Sequence, residues 1–313
     1  MPPCQLTLVI PCYNEEAILP LTLRTLLAKL DALHAEGKIT ATSQLYCIDD
    51  GSRDKSWSLV QQHALQEPRI RGLKLSRNFG HQAALLAGLL HAEGDALISL
   101  DADLQDDTTA IDTMVDAYHA GYEVVYGVRE DRSNDSFWKR FAAEAYYRLL
   151  RRIGVNTVFN HADYRLLSRR AVEHLRDFRE VNLFLRGLIP MLGFAATEVR
   201  YKRQARIAGE SKYPIHRMLN LALDGITSLS SWPLRMITLL GLLVFTISTG
   251  LGLWALWRAF FGNGVVPGWA STVVPMYFLG GIQLLCIGII GEYLRKLYLE
   301  VKARPRFIIE EKL

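Results

Sequence analysis

The chain of 313 residues carries 36 Lys and Arg against 32 Asp and Glu, and a net charge of only +4 excludes a nucleic-acid binder with a continuous basic face. Half of the residues are hydrophobic and the mean hydropathy is +0.10, too apolar for an ordinary soluble enzyme of this length, so composition predicts a soluble domain joined to something in a membrane. Cys4, Cys12, Cys47 and Cys286 form no C-x-x-C pair and read as buried free thiols in a reducing compartment.

The start, Met-Pro-Pro-Cys-Gln-Leu, has neither the basic end nor the apolar core of a signal peptide, so the first domain is expected to stay in the cytoplasm. From there to about residue 130, short apolar runs alternate with helix-period segments. The runs Leu6–Ile10, Leu45–Ile48, Ile70–Leu75, Ala96–Leu100 and Glu123–Tyr126 predict repeated βαβ units on a mostly parallel sheet. Ligands of such sheets sit beyond the carboxyl ends of the strands, and there the chain is polar. Pro11-Cys12-Tyr13-Asn14-Glu15-Glu16 follows the first run, Asp49-Asp50-Gly51-Ser52 the second, and Asp101-Ala102-Asp103-Leu104-Gln105-Asp106 the fourth.

Asp101 and Asp103 stand one residue apart at a strand end. Two such carboxylates suit a divalent cation shared with a diphosphate, because Mg2+ uses one or two carboxylates plus substrate phosphates rather than a full protein cage. A D-x-D alone is a weak signal, since surface turns contain it by chance; its place after a buried run strengthens it. The corner at Asp49 and Asp50 reads two ways, as a turn with a helix cap leading into Asp54 or as carboxylates accepting from a base N–H or a ribose hydroxyl.

Ser136–Ile153 sets Phe137, Trp138 and Phe141 among Lys139, Arg140, Arg148 and Arg151. That is the pattern of a helix lying in a membrane interface, and equally of a sheet-packed helix with a solvated basic face. Between Arg235 and Arg258 lie 22 uncharged residues, about 33 Å of helix against about 30 Å of hydrocarbon. A second uncharged run, Ala259–Gly291, has room for a turn at Gly262 to Gly268 and a second span from Ala270. Basic residues precede the first span (Arg203, Arg206, Lys212, Arg217, Arg235) and follow the second (Arg295, Lys296, Lys302, Arg304, Arg306, Lys312), which places both ends on the cytoplasmic side.

Val9-Ile10-Pro11-Cys12-Tyr13-Asn14-Glu15-Glu16, Asp49-Asp50-Gly51-Ser52, Ser76-Arg77-Asn78-Phe79-Gly80 and the acidic block from Asp101 to Asp106 resemble the signature blocks of family 2 glycosyltransferases of the dolichol-phosphate mannosyltransferase type. The likeness continues through Asp163-Tyr164-Arg165-Leu166-Leu167-Ser168-Arg169 and Arg206-Ile207-Ala208-Gly209-Glu210-Ser211-Lys212-Tyr213 to Gly291-Glu292-Tyr293, and is greatest with bacterial bactoprenol glucosyltransferases. It implies an α/β, GT-A-like (Rossmann-like) nucleotide-sugar domain with a C-terminal two-helix transmembrane hairpin. The expected division is a catalytic domain at 1–232, spans within 233–294 at about 235–258 and 270–292, and a basic tail at 295–313.

Residue by residue, the resemblance implies Pro11, Tyr13, Glu15, Asp50 and Asp101 at the nucleotide, and Asp101, Asp103 and Gln105 at a Mg2+ or Mn2+ diphosphate. Arg129, Arg140, Arg206, Ser211 and Lys212 fall at the acceptor phosphate, a role that suits Arg and Lys chemically. Asp103 and Asp163 are the expected catalytic residues. Asp163 has three readings in the sequence: an acidic group beside the sugar, an orienter of Arg165, or the cap of a turn. One departure is Asp107-Thr108, where many relatives carry a proline, and it bears on the next helix more than on the metal.

The implied activity is inverting transfer of one sugar, glucose from UDP-glucose, to undecaprenyl or another polyisoprenyl phosphate, for cell-envelope glycan modification. N-acetylglucosamine, galactose, modified arabinose and mannose remain alternative sugars. The implied location is the bacterial inner membrane, multi-pass, with the catalytic domain cytoplasmic and the chain in a homo-oligomer, a tetramer among the options. A processive synthase would want a Q-x-x-R-W block, and a P-loop nucleotidase would want G-x-x-x-x-G-K-[ST]; neither is present. A non-catalytic membrane or flippase-associated protein would leave the ordered acidic corners without a use.

Overall fold

The computed structural model describes residues 2–129, 161–181, 184–202, 232–261 and 268–313. The expected interfacial helix at Ser136–Ile153, the acceptor residues Arg140, Arg206, Ser211 and Lys212, and the turn from Gly262 to Pro267 lie outside these residues. The chain divides into two compact units, Met1–Ile215 with Arg304–Leu313, and His216–Ala303.

In the first unit the five expected strands form: β1 (Leu6–Cys12), β2 (Gln44–Asp49), β3 (Ile70–Leu75), β4 (Ala96–Ser99) and β5 (Val124–Arg129). With β6 (His161–Ser168), β7 (Ala196–Tyr201) and β8 (Ile309–Lys312) they make, among the described residues, an eight-stranded sheet in the order β7-β5-β6-β4-β1-β2-β3-β8. The pairings among β1, β2, β3 and β4 are parallel. β7 runs parallel to β5, β6 antiparallel between β4 and β5, and β8 antiparallel along β3, so the sheet is mixed, with β6 and β8 running against six strands of one direction. β1 is central, and all seven of its residues are buried because helices cover both faces.

One face carries α1 (Leu19–Ala35), α2 (Ser56–Gln66) and α4 (Ala110–His119). α1 supplies a helical stripe of Leu19, Leu23, Leu26, Leu30 and Leu33, all buried against Leu6, Leu8 and Ile10 of β1. The other face carries α3 (His81–His91), α5 (Arg169–Leu175) and α6 (Leu185–Met191). In α3 every residue from Ala83 to Leu90 is buried, and a Cβ at Gly88 would stand 2.5 Å from Ile48 Cδ1 and Val9 Cγ1, so this helix comes close to the sheet. α3 therefore holds its first turn firmly over the strand ends.

The segment expected as a tail ends as a strand. Ser76 N donates to Ile308 O (3.0 Å) and Leu313 N to Gly72 O (2.9 Å), while Glu311 accepts from Trp57 Nε1 and Gln61 Nε2, each at 2.9 Å. Arg304–Leu313 thus falls with the catalytic unit, and the sheet edge at β3 is covered rather than open.

The second unit contains α7 (Trp232–Phe261, 30 residues) and α8 (Trp269–Val301, 33 residues). Among the described residues one segment, Phe278–Val301, is long and apolar enough to cross a membrane; over 18 residues of it the mean hydropathy is 1.3 and none is buried. It lies further along the chain than the expected second span.

Candidate active site

The switch point of the sheet lies at β1, which pairs with β2 on one side and β4 on the other. Past the carboxyl ends of these strands is a cavity of about 230 Å3, lined by Pro11, Tyr13, Glu15, Asp50, Asp101 and Asp103 together with His81. All five expected nucleotide residues meet there, although they come from three separate loops.

The loops are pinned to one another by side chains. Ser52 Oγ accepts from Asn14 N (3.0 Å), Asn14 Oδ1 from Arg53 N (2.9 Å), Ser56 Oγ from Glu15 N (2.8 Å) and Asp54 Oδ2 from Glu16 N (3.1 Å). Asn14 takes the left-handed conformation (φ 56°), which asparagine tolerates. At Gly51 (φ 66°) a Cβ would meet the Arg77 backbone at 2.4 Å, so only glycine fits. Asp50 accepts from Phe79 N (2.7 Å) and Gly80 N (2.9 Å) at the start of α3. Burial raises its carboxyl above the ordinary value, and those two amides pull it back. Asp54 accepts from Ser56 N at 3.0 Å just before α2, whose N-cap position is Lys55.

Leu104 sits at φ 52°, an uncommon conformation for a bulky residue, and turns the chain so that Gln105 N donates to Asp103 Oδ1 (3.2 Å). Gln105 is buried and is not among the side chains lining the cavity. Burial raises the Asp101 carboxyl, and Asp106, Asp163 and Asp103 push the same way against the opposing pull of His81. Two hard carboxylates in an accumulation of negative charge fit a Mg2+ or Mn2+ ion that takes its remaining ligands from a diphosphate and water. Among the described residues no group of three or more His, Cys, Asp and Glu is placed to hold a metal ion, so an ion on Asp101 and Asp103 would depend on ligands from substrate and water.

Asp163 arrives from β6. The antiparallel register sets Ser99 opposite Arg165, so two residues further on Asp163 stands beside Asp101. Its carboxylate takes Arg165 Nη2 and Arg186 Nε (3.2 Å) on Oδ1, and Arg186 Nη2 (3.1 Å) and Gln82 Nε2 (3.3 Å) on Oδ2. His81 Nε2 lies 3.6 Å from the same Oδ2 and 3.7 Å from Asp101 Oδ1. Burial alone would raise the Asp163 carboxyl; His81, Arg165 and Arg186 outweigh it and hold it well below the ordinary range. At His81 burial lowers the pKa, and Asp163 and Asp101 more than restore it.

Arg129, at the end of β5, is tied into the acidic loop. Its Nη2 lies 3.4 Å from Asp106 Oδ1 and its Nε donates to Tyr201 OH (3.2 Å), whose hydroxyl in turn donates to Asp106 Oδ1 (2.6 Å). The sequence reading missed His81, Gln82, Arg186 and Tyr201. His81 follows directly on the block ending at Gly80, a signal within reach; Arg186 and Tyr201 lie in segments without a motif.

Carboxylates at the switch point of a mixed α/β sheet, suited to a metal-bound diphosphate, define a glycosyltransferase of GT-A-like fold. Residues 7–176 match the model of Glycosyl transferase family 2, and the chain belongs to that family. It is 45% identical to the uncharacterized glycosyltransferase YkoT of Bacillus subtilis (strain 168), over 97% of this chain and 91% of that one. It is 39% identical to the SfII prophage-derived bactoprenol glucosyl transferase of Shigella flexneri, over 98% of each. Among solved structures it is similar to glucosyl-3-phosphoglycerate synthase from Mycobacterium tuberculosis, with a TM-score of 0.46 and 17% identity over 72% of this chain and 77% of that one. At that distance the likeness says nothing of donor or metal.

Proposed function

We propose that this enzyme transfers one glucose from UDP-glucose to undecaprenyl phosphate with inversion at the anomeric carbon. The observation that carries the reading is the convergence of Tyr13, Glu15, Asp50, Asp101 and Asp103 on one cavity, beside the Asp163 cluster. Relatives 38–39% identical over nearly the whole chain and named bactoprenol glucosyl transferase support the lipid acceptor and the sugar. Tyr13, with an exposed ring, stacks on the base, and Glu15 and Asp50 accept from the nucleoside. Asp101 and Asp103 hold the divalent cation, which when bound neutralises charge on the leaving diphosphate. Arg129, with Arg140, Arg206, Ser211 and Lys212, receives the acceptor phosphate.

A phosphate oxygen of the lipid attacks the anomeric carbon, a new C–O bond forms, and the bond to the β-phosphate breaks with its electron pair leaving on UDP. A phosphate monoester has a second pKa of about 6, so the acceptor is already largely a dianion at neutral pH and needs no strong base. That agrees with Asp163, whose oxygens are already occupied by donors.

The membrane part of the proposal is a hairpin in the bacterial inner membrane with the catalytic unit cytoplasmic. Its support is the return of the chain: β8 belongs to the sheet that the chain left before α7, and one span alone cannot bring it back to the same side. The uncharged stretch between Arg235 and Arg258 supplies the other crossing, the first in chain order.

The test is incubation of purified full-length protein with labelled UDP-glucose, undecaprenyl phosphate and Mg2+ or Mn2+, followed by product mass. A lipid-linked hexose is expected, reduced about a hundredfold or more in Asp103→Ala. Product from another nucleotide sugar alone corrects the donor; no lipid product from any donor overturns the reading.

A further inference from the structure

The loop after β4 carries Asp101 and Asp103 on a strained backbone. Leu104, bulky and buried, stands at φ 52° directly after Asp103, a conformation that persists only where the surroundings fix it. Three hydroxyls from three other elements hold this loop. Thr22 Oγ1 of α1 donates to Ala102 O (2.6 Å), the carbonyl between the two carboxylates. Tyr201 OH at the end of β7 donates to Asp106 Oδ1 (2.6 Å), and Tyr164 OH of β6 to Asp107 O (3.1 Å). The three side chains are buried, and none is among those lining the cavity.

Packing does not account for these polar atoms. Thr22 lies in the buried stripe of α1 beside Leu19, Leu23 and Leu26, where valine would fill the same space and a hydroxyl costs free energy unless it is bonded. Ile18 O, one turn back in the helix, is 3.2 Å from Oγ1, but the shorter bond is the one to Ala102 O, 80 residues away. At Tyr201 the neighbouring arginine sets the direction of the bond. Arg129 Nε donates to the hydroxyl (3.2 Å) and cannot accept, which sends the phenolic proton to Asp106. Edge-on packing against Tyr164, with ring centroids 5.2 Å apart, fixes the Tyr201 ring. Each hydroxyl therefore holds the acidic loop from the protein interior.

We propose that Thr22 and Tyr201 are positioning residues for the divalent cation: they touch neither metal nor substrate, and their hydroxyls fix the loop from which Asp101 and Asp103 reach the ion. Groups behind metal ligands raise affinity because a carboxylate already in place gives up little freedom when the ion binds. The inference rests on the metal reading of Asp101 and Asp103 above and adds two residues to it.

The experiment is a Mn2+ titration of the full-length protein in detergent at saturating UDP, with free Mn2+ read by electron paramagnetic resonance against the same UDP and Mn2+ without protein. It compares wild type, Thr22→Val, Thr22→Ser, Tyr201→Phe and Asp103→Ala, and involves no turnover. Thermal unfolding identifies the folded variants; if Thr22→Val or Tyr201→Phe does not fold, the other decides. Both are expected to bind Mn2+ about tenfold or more weakly, and Thr22→Ser, which keeps the hydroxyl and gives up the methyl, to stay within about twofold of wild type. A packing role alone predicts the reverse order at Thr22, because valine keeps the volume and serine leaves a gap. Wild-type affinity in folded Thr22→Val or Tyr201→Phe, with Asp103→Ala deficient, overturns the inference and leaves the metal reading standing. A fall in Thr22→Ser as large as that in Thr22→Val does the same. A wild-type protein that takes up no Mn2+ with UDP, or an Asp103→Ala variant that takes it up equally well, sinks the metal reading itself, and the inference with it.

Discussion

Asp163 receives Arg165, Arg186 and Gln82 on its two oxygens, and the fully buried Arg165 has no other carboxylate at ion-pair distance among the described residues. Replacing it with Asn strands that guanidinium, at a cost of about 3 kcal/mol. A carboxyl held below its unfolded value near 3.9 adds stability that is complete above that value and is lost as the pH falls through the folded one. Chemical unfolding is therefore expected to show Asp163→Asn well below wild type at pH 7, with the gap closing below about pH 4. The same depression removes Asp163 from the working titration range, so the wild-type rate profile is expected to lack an acid limb from this residue between about pH 5 and 8. A limb that disappears in an otherwise active Asp163→Asn enzyme would restore Asp163 as the base.

β6 and β8 are the two strands that run against the rest of the sheet, and each places a functional or anchoring group. The register of β6 delivers Asp163 to Asp101. β8 brings Glu311 under Trp57 and Gln61 of α2 and covers the β3 edge. Glu311→Ala leaves the indole N–H of a buried tryptophan without its acceptor and is expected to cost about 2 kcal/mol, or about 5 °C in unfolding midpoint for a unit of this size. An unchanged midpoint together with unchanged Trp57 fluorescence would show that β8 does not hold this edge. Neither strand was legible in advance. β6 opens on His161-Ala162-Asp163, which is no apolar run, and β8 pairs with β3 across about three-quarters of the chain, where periodicity carries no information.

For the whole molecule, a catalytic sheet completed by residues from both sides of the apolar segments requires the chain to come back after leaving. Single cysteines at Asn263 and Ile308, in a chain with Cys286 replaced, are expected to label from opposite sides: a membrane-impermeant maleimide added to intact cells reaches the first and not the second. Cys4, Cys12 and Cys47 are buried and stay silent in this assay. Labelling of both positions from outside, or of neither, removes the hairpin.

What the sequence determined by itself was the local chemistry. The five apolar runs, the acidic corners after β1, β2 and β4 and the long uncharged stretches are each carried by residues adjacent in the chain, so propensity and spacing reveal them directly. The tertiary structure decided which of these groups meet and in what state. It buried Gln105 away from the cavity lining, tied Arg129 to Asp106 and Tyr201, and surrounded Asp163 with His81, Gln82, Arg165 and Arg186. These outcomes depend on strand pairing between distant segments and on how far each charge is withdrawn from water. Both are properties of the packed molecule, and no stretch of neighbouring residues contains them.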